Sequence, residues 1–546
     1  MTPSVTTTTR PAPSTTPAAA TVSRQVRRAQ ARQASPPGQD LHGPARQLTE
    51  EIIGAAVAKA AAAQQAATMA KAQLTEGELQ AWLQDLSARL DVILDHPEQN
   101  LGEMEEQLAR LKEPYRLLAE RAAQIKANRT PCHCPDCQRP LTQQKYLSRV
   151  IHSRFGPLTL WRRYGWCARC GQWHFPADYA LGLGRKAPAS PYLQEISALL
   201  VSKMPAEQAV AVAERLGLDL SRCALHQEAR RQGLKAQKLR AQFLGQLDTW
   251  EQIQQMASAT EGPPAQPFTL VIEIDAWDIR ERDNWGKTKA LREAGEKLDR
   301  WHWVYMATVF RLDHRGQTAG KRAVISERGY AATRLGLEAL SAQLYREALA
   351  RGLGQAQLVL VIADGALWIW NLAKDRFPDA RQRLDLFHAE EHLWAVAADL
   401  YGQGTPEAVA WVKPLLQQVR DDQTVAVVAS LTQLKPHLLE AQQKKVQTQI
   451  EYFQGNAPRM KYKEILEARD ACHQGKATEQ QKELANHPVG SGAIESACRQ
   501  YQCRFKRTGQ FWTTPGDEAL MCLETLWRNG RWHQLYPHAR SSTALN

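Results

Sequence analysis

The chain has 546 residues, a formal net charge of +12, a sequence pI near 9.2 and 43% hydrophobic side chains. At ~100–200 residues per domain this length allows three or four folded units. No run of 18 apolar residues occurs, so no membrane span is expected, and the basic balance favours a polyanionic partner over a neutral one without specifying a fold. A basic protein with no nucleic-acid role stands beside that reading.

Residues 1–45 begin MTPSVTTTTRPAPSTTPAAATVSRQVRRAQARQ. They lack a secretory h-region and are too poor in apolar bulk to fold alone, so they read as a disordered basic arm; a transit peptide is the weaker reading. Residues 46–128 place Ala and Leu at helical spacing, as in EGELQAWLQDLSARLDVIL, and read as a helical region.

Residues 129–185 change character. Two Cys-x-x-Cys pairs, Cys134-Pro-Asp-Cys137 and Cys167-Ala-Arg-Cys170, bracket the strand-like KYLSRVIHSRFGPLTLWRRYGW. Two knuckles of two thiolates each make a closed tetrahedron of four cysteines, which predicts a zinc ribbon with a structural Zn2+. Cys132 and His133 are weaker substitutes. The pattern favours metal over disulfides and a reducing compartment. The ribbon either helps to hold DNA or only staples a small domain that lacks a core.

Residues 186–262 return to helix. PAEQAVAVAERLG, a short LDL turn and SRCALHQEARRQG have helix-turn-helix spacing, with Ser221 as N-cap of the second helix. Arg222, Arg230 and Arg231, with His226, are candidate DNA contacts on that helix; a solvated basic face explains any one of them equally well. The segment EQIQQMASATEGPPAQP is a linker.

From 263 the pattern becomes α/β. FTLVIEID, WHWVYMATVF, KRAVISE, QLVLVIADG and RQRLDLFH are strand candidates, and RLGLEALSAQLYREALARG is a helix. Asp275 and Asp364 each close a buried strand, which puts an acid at a sheet edge. Glu495 opens a helix after Gly490-Ser491-Gly492. Carboxylates that crowd one another suit paired Mg2+ ions on a phosphodiester. Alternation puts Glu273 on the face of Asp275. Gly286-Lys287-Thr288 lacks the upstream glycine of a phosphate loop, since Glu281 stands there, so ATP hydrolysis is rejected.

The words YMATVF, VIADGALWIW, LDLFHAEEHLWAVA and PVGSGAIESACRQYQCRFKRTGQFW resemble bacterial insertion-sequence DDE transposases, nearest the ISKra family and related to Mutator-like transposases. The resemblance spans roughly residues 130–533. It implies an RNase H-like core in two parts, 263–388 and 486–533, interrupted by an all-helical insertion at 389–485, with a tail at 534–546. It also implies a catalytic triad of Asp275, Asp364 and Glu495 holding Mg2+ (or Mn2+), with Asp385 and His388 as an accessory motif. His388 is weighed evenly between a donor at a scissile phosphate and an ordinary hydrogen-bonding group. The partners implied are double-stranded DNA, both transposon ends and target, bound by a homodimer or larger assembly in the bacterial cytoplasm near the nucleoid. Arg499, Arg504, Lys506 and Arg507, with Tyr501, Phe505, Phe511 and Trp512 between them, form a candidate DNA strip around the third acid. Trp394 and Trp411 could brace a flipped base, although packing explains them better. An inactive DNA-binding relative and an RNase H-fold nuclease without strand transfer are the alternative functions.

Overall fold

The computed structural model of the chain describes residues 76–537, apart from 97–98, 110, 186, 246–266, 283–285, 297–300, 320–322 and 509. The basic arm 1–45, the start of the helical region, the linker and the end of the tail lie outside the described residues. Among those described, no helix is long and apolar enough to cross a membrane.

Helices α1 (Glu76–Leu94), α2 (Leu101–Ala109) and α3 (Lys112–Arg129) lead into a three-stranded antiparallel sheet. Its strands are β1 (Thr142–Ser153), β2 (Gly156–Cys167) and β3 (Gln172–His174), in the order β1-β2-β3. The stretch of β2 that β3 leaves unpaired is covered by α3. The Gln124 amide donates to the Trp161 carbonyl at 2.8 Å and accepts from its N–H at 2.9 Å, while Glu120 accepts from Thr159 N–H at 2.7 Å. Side chains thus take the place of a fourth strand and close an edge that would otherwise pair with another chain. The short α4 (Pro176–Ala180) is tied to this sheet by Asp178, which pairs with both Arg149 and Arg162.

Next come α5 (Pro191–Lys203), α6 (Ala206–Arg215) and α7 (Arg222–Gly245). Ser221 does cap α7, its hydroxyl accepting from Ala224 N–H at 3.2 Å. Leu193, Ala209, Ala213, Leu218 and Leu225 form the small core of this unit. The second helix is 24 residues long, well beyond the span read from the sequence. Its far half leans on the helix Thr514–Arg528, where a Cβ on Gly233 would lie 2.6 Å from that of Ala519.

The main sheet has five strands in the order β10-β9-β4-β5-β8. They are β4 (Thr269–Arg280), β5 (Trp301–Arg311), β8 (Gly329–Thr333), β9 (Leu358–Ala363) and β10 (Arg381–Leu384). β4 is parallel to β9, and β9 to β10; β4–β5 and β5–β8 are antiparallel. The short α8 (Thr288–Glu293) lies between β4 and β5. KRAVISE does not join this sheet. Among the described residues its β7 (Ala323–Ile325) pairs with β6 (Arg315–Gln317) in a separate two-stranded sheet. The fifth strand is instead GYAAT, which local pattern does not single out because glycine and alanine carry little strand preference; all five residues are buried.

Leu270, Ile272 and Ile274 face α9 (Leu337–Ala350) and α10 (Leu367–Arg376). Beyond β10 the chain is helical: α11 (Leu386–Tyr401), α12 (Pro406–Arg420), α13 (Thr424–Leu434), α14 (Glu440–Asn456), α15 (Lys463–His473) and α16 (Glu479–Ala485). This stretch begins at 386 rather than 389, because Asp385 ends the strand and caps α11. The opposite sheet face, with Trp277, Ile279, Val304 and Met306, packs under α17 (Gly492–Phe505) and α18 (Thr514–Arg528), and α19 (Trp532–Leu535) closes this layer.

Candidate functional site

Asp275 and Asp364 meet because of strand register. The last pair of the β4–β9 ladder is Glu273 with Ile362. Continuing it by two residues sets Asp275 beside Asp364, on the face shared by Leu360 and Ile362 and covered by α17. Adjacent strands are about 5 Å apart, so the carboxylates feel one another. Burial raises the Asp275 pKa first, and the charge of Asp364 adds to it. Glu495, in the first turn of α17, is likewise raised by burial, with Asp385 and Asp275 contributing. Residues 275, 364 and 495 therefore share one electrostatic environment at the end of the parallel strands.

Local structure holds each of them. Asp364 Oδ1 accepts from Ala366 N–H at 3.0 Å, and its carbonyl accepts from the Tyr452 hydroxyl at 2.8 Å. Tyr452 comes from α14, stacks on His392 at 3.8 Å, and was not anticipated from the sequence. Gly365 follows with φ +106°, a conformation that penalises any side chain; a Cβ there would stand 2.7 Å from the Tyr452 ring. Asp275 Oδ1 accepts from Ala276 N–H at 2.6 Å.

Glu273 is only 1% exposed. Its Oε2 accepts from Ile494 N–H at 2.8 Å, so it sits at the positive end of the helix that carries Glu495. Alternation had placed it on the right face, and its role is to seat that helix on the sheet. Burial nonetheless raises its pKa to about 8.

Asp385 is fully engaged. Oδ1 accepts from Phe387 N–H at 2.7 Å and His388 N–H at 3.2 Å; Oδ2 accepts from Ser491 N–H at 2.6 Å and from its hydroxyl. His388 Nδ1 lies 3.8 Å from Glu495 Oε1 and 4.0 Å from Asp385 Oδ2, with no hydrogen-bond partner. Asp385, His388 and Glu495 have ligand atoms within 4.8 Å of one another, a tighter group than the three expected acids, since neither Asp275 nor Asp364 belongs to it. Four donors already fill the lone pairs of Asp385, so it serves this group as a brace and leaves Glu495 and His388 to face outward.

The four cysteines Cys134, Cys137, Cys167 and Cys170 converge, all Sγ within 4.8 Å. Cys134–Cys170 is 3.8 Å and Cys137–Cys167 is 3.5 Å. A tetrahedron with Zn–S of ≈ 2.3 Å has edges of about 3.8 Å, so this cluster could bind zinc. Each knuckle turns through a left-handed residue just after its second cysteine, Gln138 at φ 60° and Gly171 at φ 65°. His174 Nε2 is 3.5 Å from Cys134 Sγ, near Asp136. Cys132 is buried beside the cluster and His133 is exposed, and both lie outside the ligand group.

The candidate DNA contacts divide. Arg222 and Arg230 are exposed on α7, with Arg222 paired to Glu207; Arg231 is drawn to Glu228. Arg499 is exposed beside Glu495. Lys506 and Arg507 are exposed, the first paired with Asp278 and the second bonded to Cys503 O and Gln208. Arg504 corrects the expectation. It is 7% exposed and donates from Nε and an amino group to the Val201 carbonyl, at 3.0 and 2.7 Å, so it ties α17 to α5 and cannot reach a phosphate. Tyr501 and Phe505 are core residues. Trp411 packs near Tyr401, and Trp394 is partly exposed.

No protein-family model and no curated protein matches this chain.

Proposed function

We propose that this protein is a DNA transposase, one that binds the terminal inverted repeats of an insertion sequence, cuts beside them and joins the freed ends to target DNA. The observations that support this reading are the β4–β9 register, which carries Asp275 toward Asp364, and the charge that Asp275 exerts on Glu495, across positions far apart in the chain. The mixed sheet, with one parallel and one antiparallel wing on β4, and the helical stretch α11–α16 are compatible with the RNase H-like core and helical insertion that the resemblance implies.

Three carboxylates, with burial raising the pKa of Asp275 and of Glu495, are a donor set suited to hard divalent cations, so Asp275, Asp364 and Glu495 would hold Mg2+ or Mn2+. Such ions would supply nucleophile activation and leaving-oxygen stabilisation in phosphodiester chemistry. Tyr452 and Gly365 fix the Asp364 turn, Glu273 seats the Glu495 helix, and His388 stands ready to donate to a phosphate oxygen. Arg222, Arg230, Arg499, Lys506 and Arg507 would contact DNA backbone, and the zinc ribbon would help hold the ends. Synapsis of two ends calls for a dimer or larger assembly.

A labelled transposon end incubated with target DNA and Mg2+ tests this. Wild type joins the end; Asp364→Ala binds it and yields no joined product, because a missing ligand removes the cation site. Joining by that variant would overturn the catalytic assignment. Cutting without joining by wild type would make the protein a nuclease.

A further inference from the structure

β4 and β5 both run on after β9 has stopped at Ala363. Pairing continues from Ala276 with Tyr305 to Arg280 with Trp301. This makes a two-stranded arm of about 17 Å at ~3.4 Å per residue. Alternate residues share a face, so Tyr305, Trp303 and Trp301 stand in line. Trp303 is 58% exposed and Trp301 51%. Tyr305 meets the Trp368 ring edge-on at 5.4 Å, and Trp368 is in the first turn of α10, four residues after Asp364. Arg280 and Lys506 each place their charge 5.7 Å from the Trp301 ring centre. Lys506 also pairs with Asp278, which neutralises the carboxylate in this strip.

Exposed indoles are costly unless something covers them, and a line of them with flanking cations has a definite complement: flat apolar rings on an anionic backbone. A protein partner would be met by apolar side chains on both strands, whereas the residues opposite the rings are Ala276, Asp278 and Arg280. Rings two residues apart are about 6.8 Å apart, two base steps of ~3.4 Å each, so each ring can meet every second base. We propose that this arm is a stacking platform for an unpaired DNA strand. Asp275 has the opposite parity from the rings, so the strand would pass over the sheet edge at Asp364 on its way between acids and arm. The reason for a strand being unpaired there rests on the transposase reading; the binding itself does not.

The test uses the full-length zinc-loaded protein, a fluorescein-labelled 12-nucleotide oligothymidylate and a duplex of equal length, read by anisotropy. Trp301→Ala with Trp303→Ala should weaken oligothymidylate binding at least about tenfold and leave duplex binding within about twofold, given typical losses per stacked base. Phe at both positions should restore most of the affinity. Both rings face solvent, so the melting temperature should not move. Unchanged oligothymidylate binding, or equal loss on both DNAs, overturns the proposal. So does a change in self-association without a change in oligonucleotide binding, which would make the arm an interface between copies. Tenfold preference for oligouridylate would reassign it to RNA and overturn it as well. The transposase reading fails separately, through joining by Asp364→Ala, and the platform survives that outcome.

Discussion

Asp385 accepts four hydrogen bonds, two of them from Ser491, 106 positions further along the chain, and Asn at this position keeps one oxygen while turning an amino group toward donors. Asp385→Asn should therefore cost about 2–4 kcal/mol of stability, read as a lower melting temperature by calorimetry, since at least one N–H is left buried without a partner. A change within about 0.5 kcal/mol would mean that the loop before α17 is held by something else. Asp517 makes a second residue-level case. It is fully buried against Glu281; its Oδ2 has no donor, and burial with the neighbouring charge raises its pKa to about 9, while Arg334 and Thr514 hold Glu281 ionised and low. One proton held by Asp517 satisfies the pair. With the folded pKa above the unfolded value, the folded state holds the extra proton between pH ~4 and ~9, so stability falls as pH rises across that window. Denaturant titrations of Asp517→Asn should show that decline flattened; an unchanged slope would place the proton elsewhere.

Among the elements, the turn after β9 shows how a motif read as chemistry also carries a backbone demand. The Asp-Gly of VIADG needs glycine because its φ is +106° and because Tyr452, Leu384 and Asn456 crowd the vacant Cβ position, at 2.7, 3.0 and 3.1 Å. Gly365→Ala should destabilise by at least about 1–3 kcal/mol from backbone strain alone, and should disturb Asp364 before anything else. Chemical denaturation checks the first effect, and loss of end joining at a temperature where the fold persists checks the second. Gly490 owes its place to close approach instead, since a Cβ would lie 2.6 Å from the Phe387 ring. Neither crowding is written in the local sequence: Tyr452 and Phe387 lie far along the chain from the glycines they crowd. The strand GYAAT and the true length of α7 went unread for a related reason, because burial on both faces and packing on α18 set them, and neither leaves a local period.

For the whole molecule, the ribbon and the main sheet have separate apolar clusters, one around the cysteines and Leu141 and another around β4, β5 and the helices beside them. The four cysteines could bind zinc, and a unit with so small a cluster around them would draw stability from that metal. Zinc analysis should find one equivalent in the wild type. Cys134→Ser should lose it and weaken end binding, while the far-ultraviolet signature of the helices beyond residue 263 persists. A full equivalent retained in that variant would refute the ligand set. The net charge of +12 predicts salt-sensitive DNA binding at this scale, without telling which surface is used.

The sequence by itself determined the local chemistry: an acid just past the end of β9 at Asp364, two knuckles at metal spacing, an N-cap at Ser221, and apolar runs for the central strands; Asp275, expected to close its strand, lies inside β4, which β5 pairing carries on to Arg280. These depend on residue type and on periods of two or 3.6, which neighbouring positions carry. Only the tertiary structure decided which groups meet. The β4–β9 register carries Asp275 toward Asp364; the Ile494 N–H on Glu273 seats the helix that holds Glu495; four donors occupy Asp385; burial against Val201 keeps Arg504 from the surface. Each of these outcomes rests on contacts between residues tens to hundreds of positions apart, and such contacts exist only once the chain has packed.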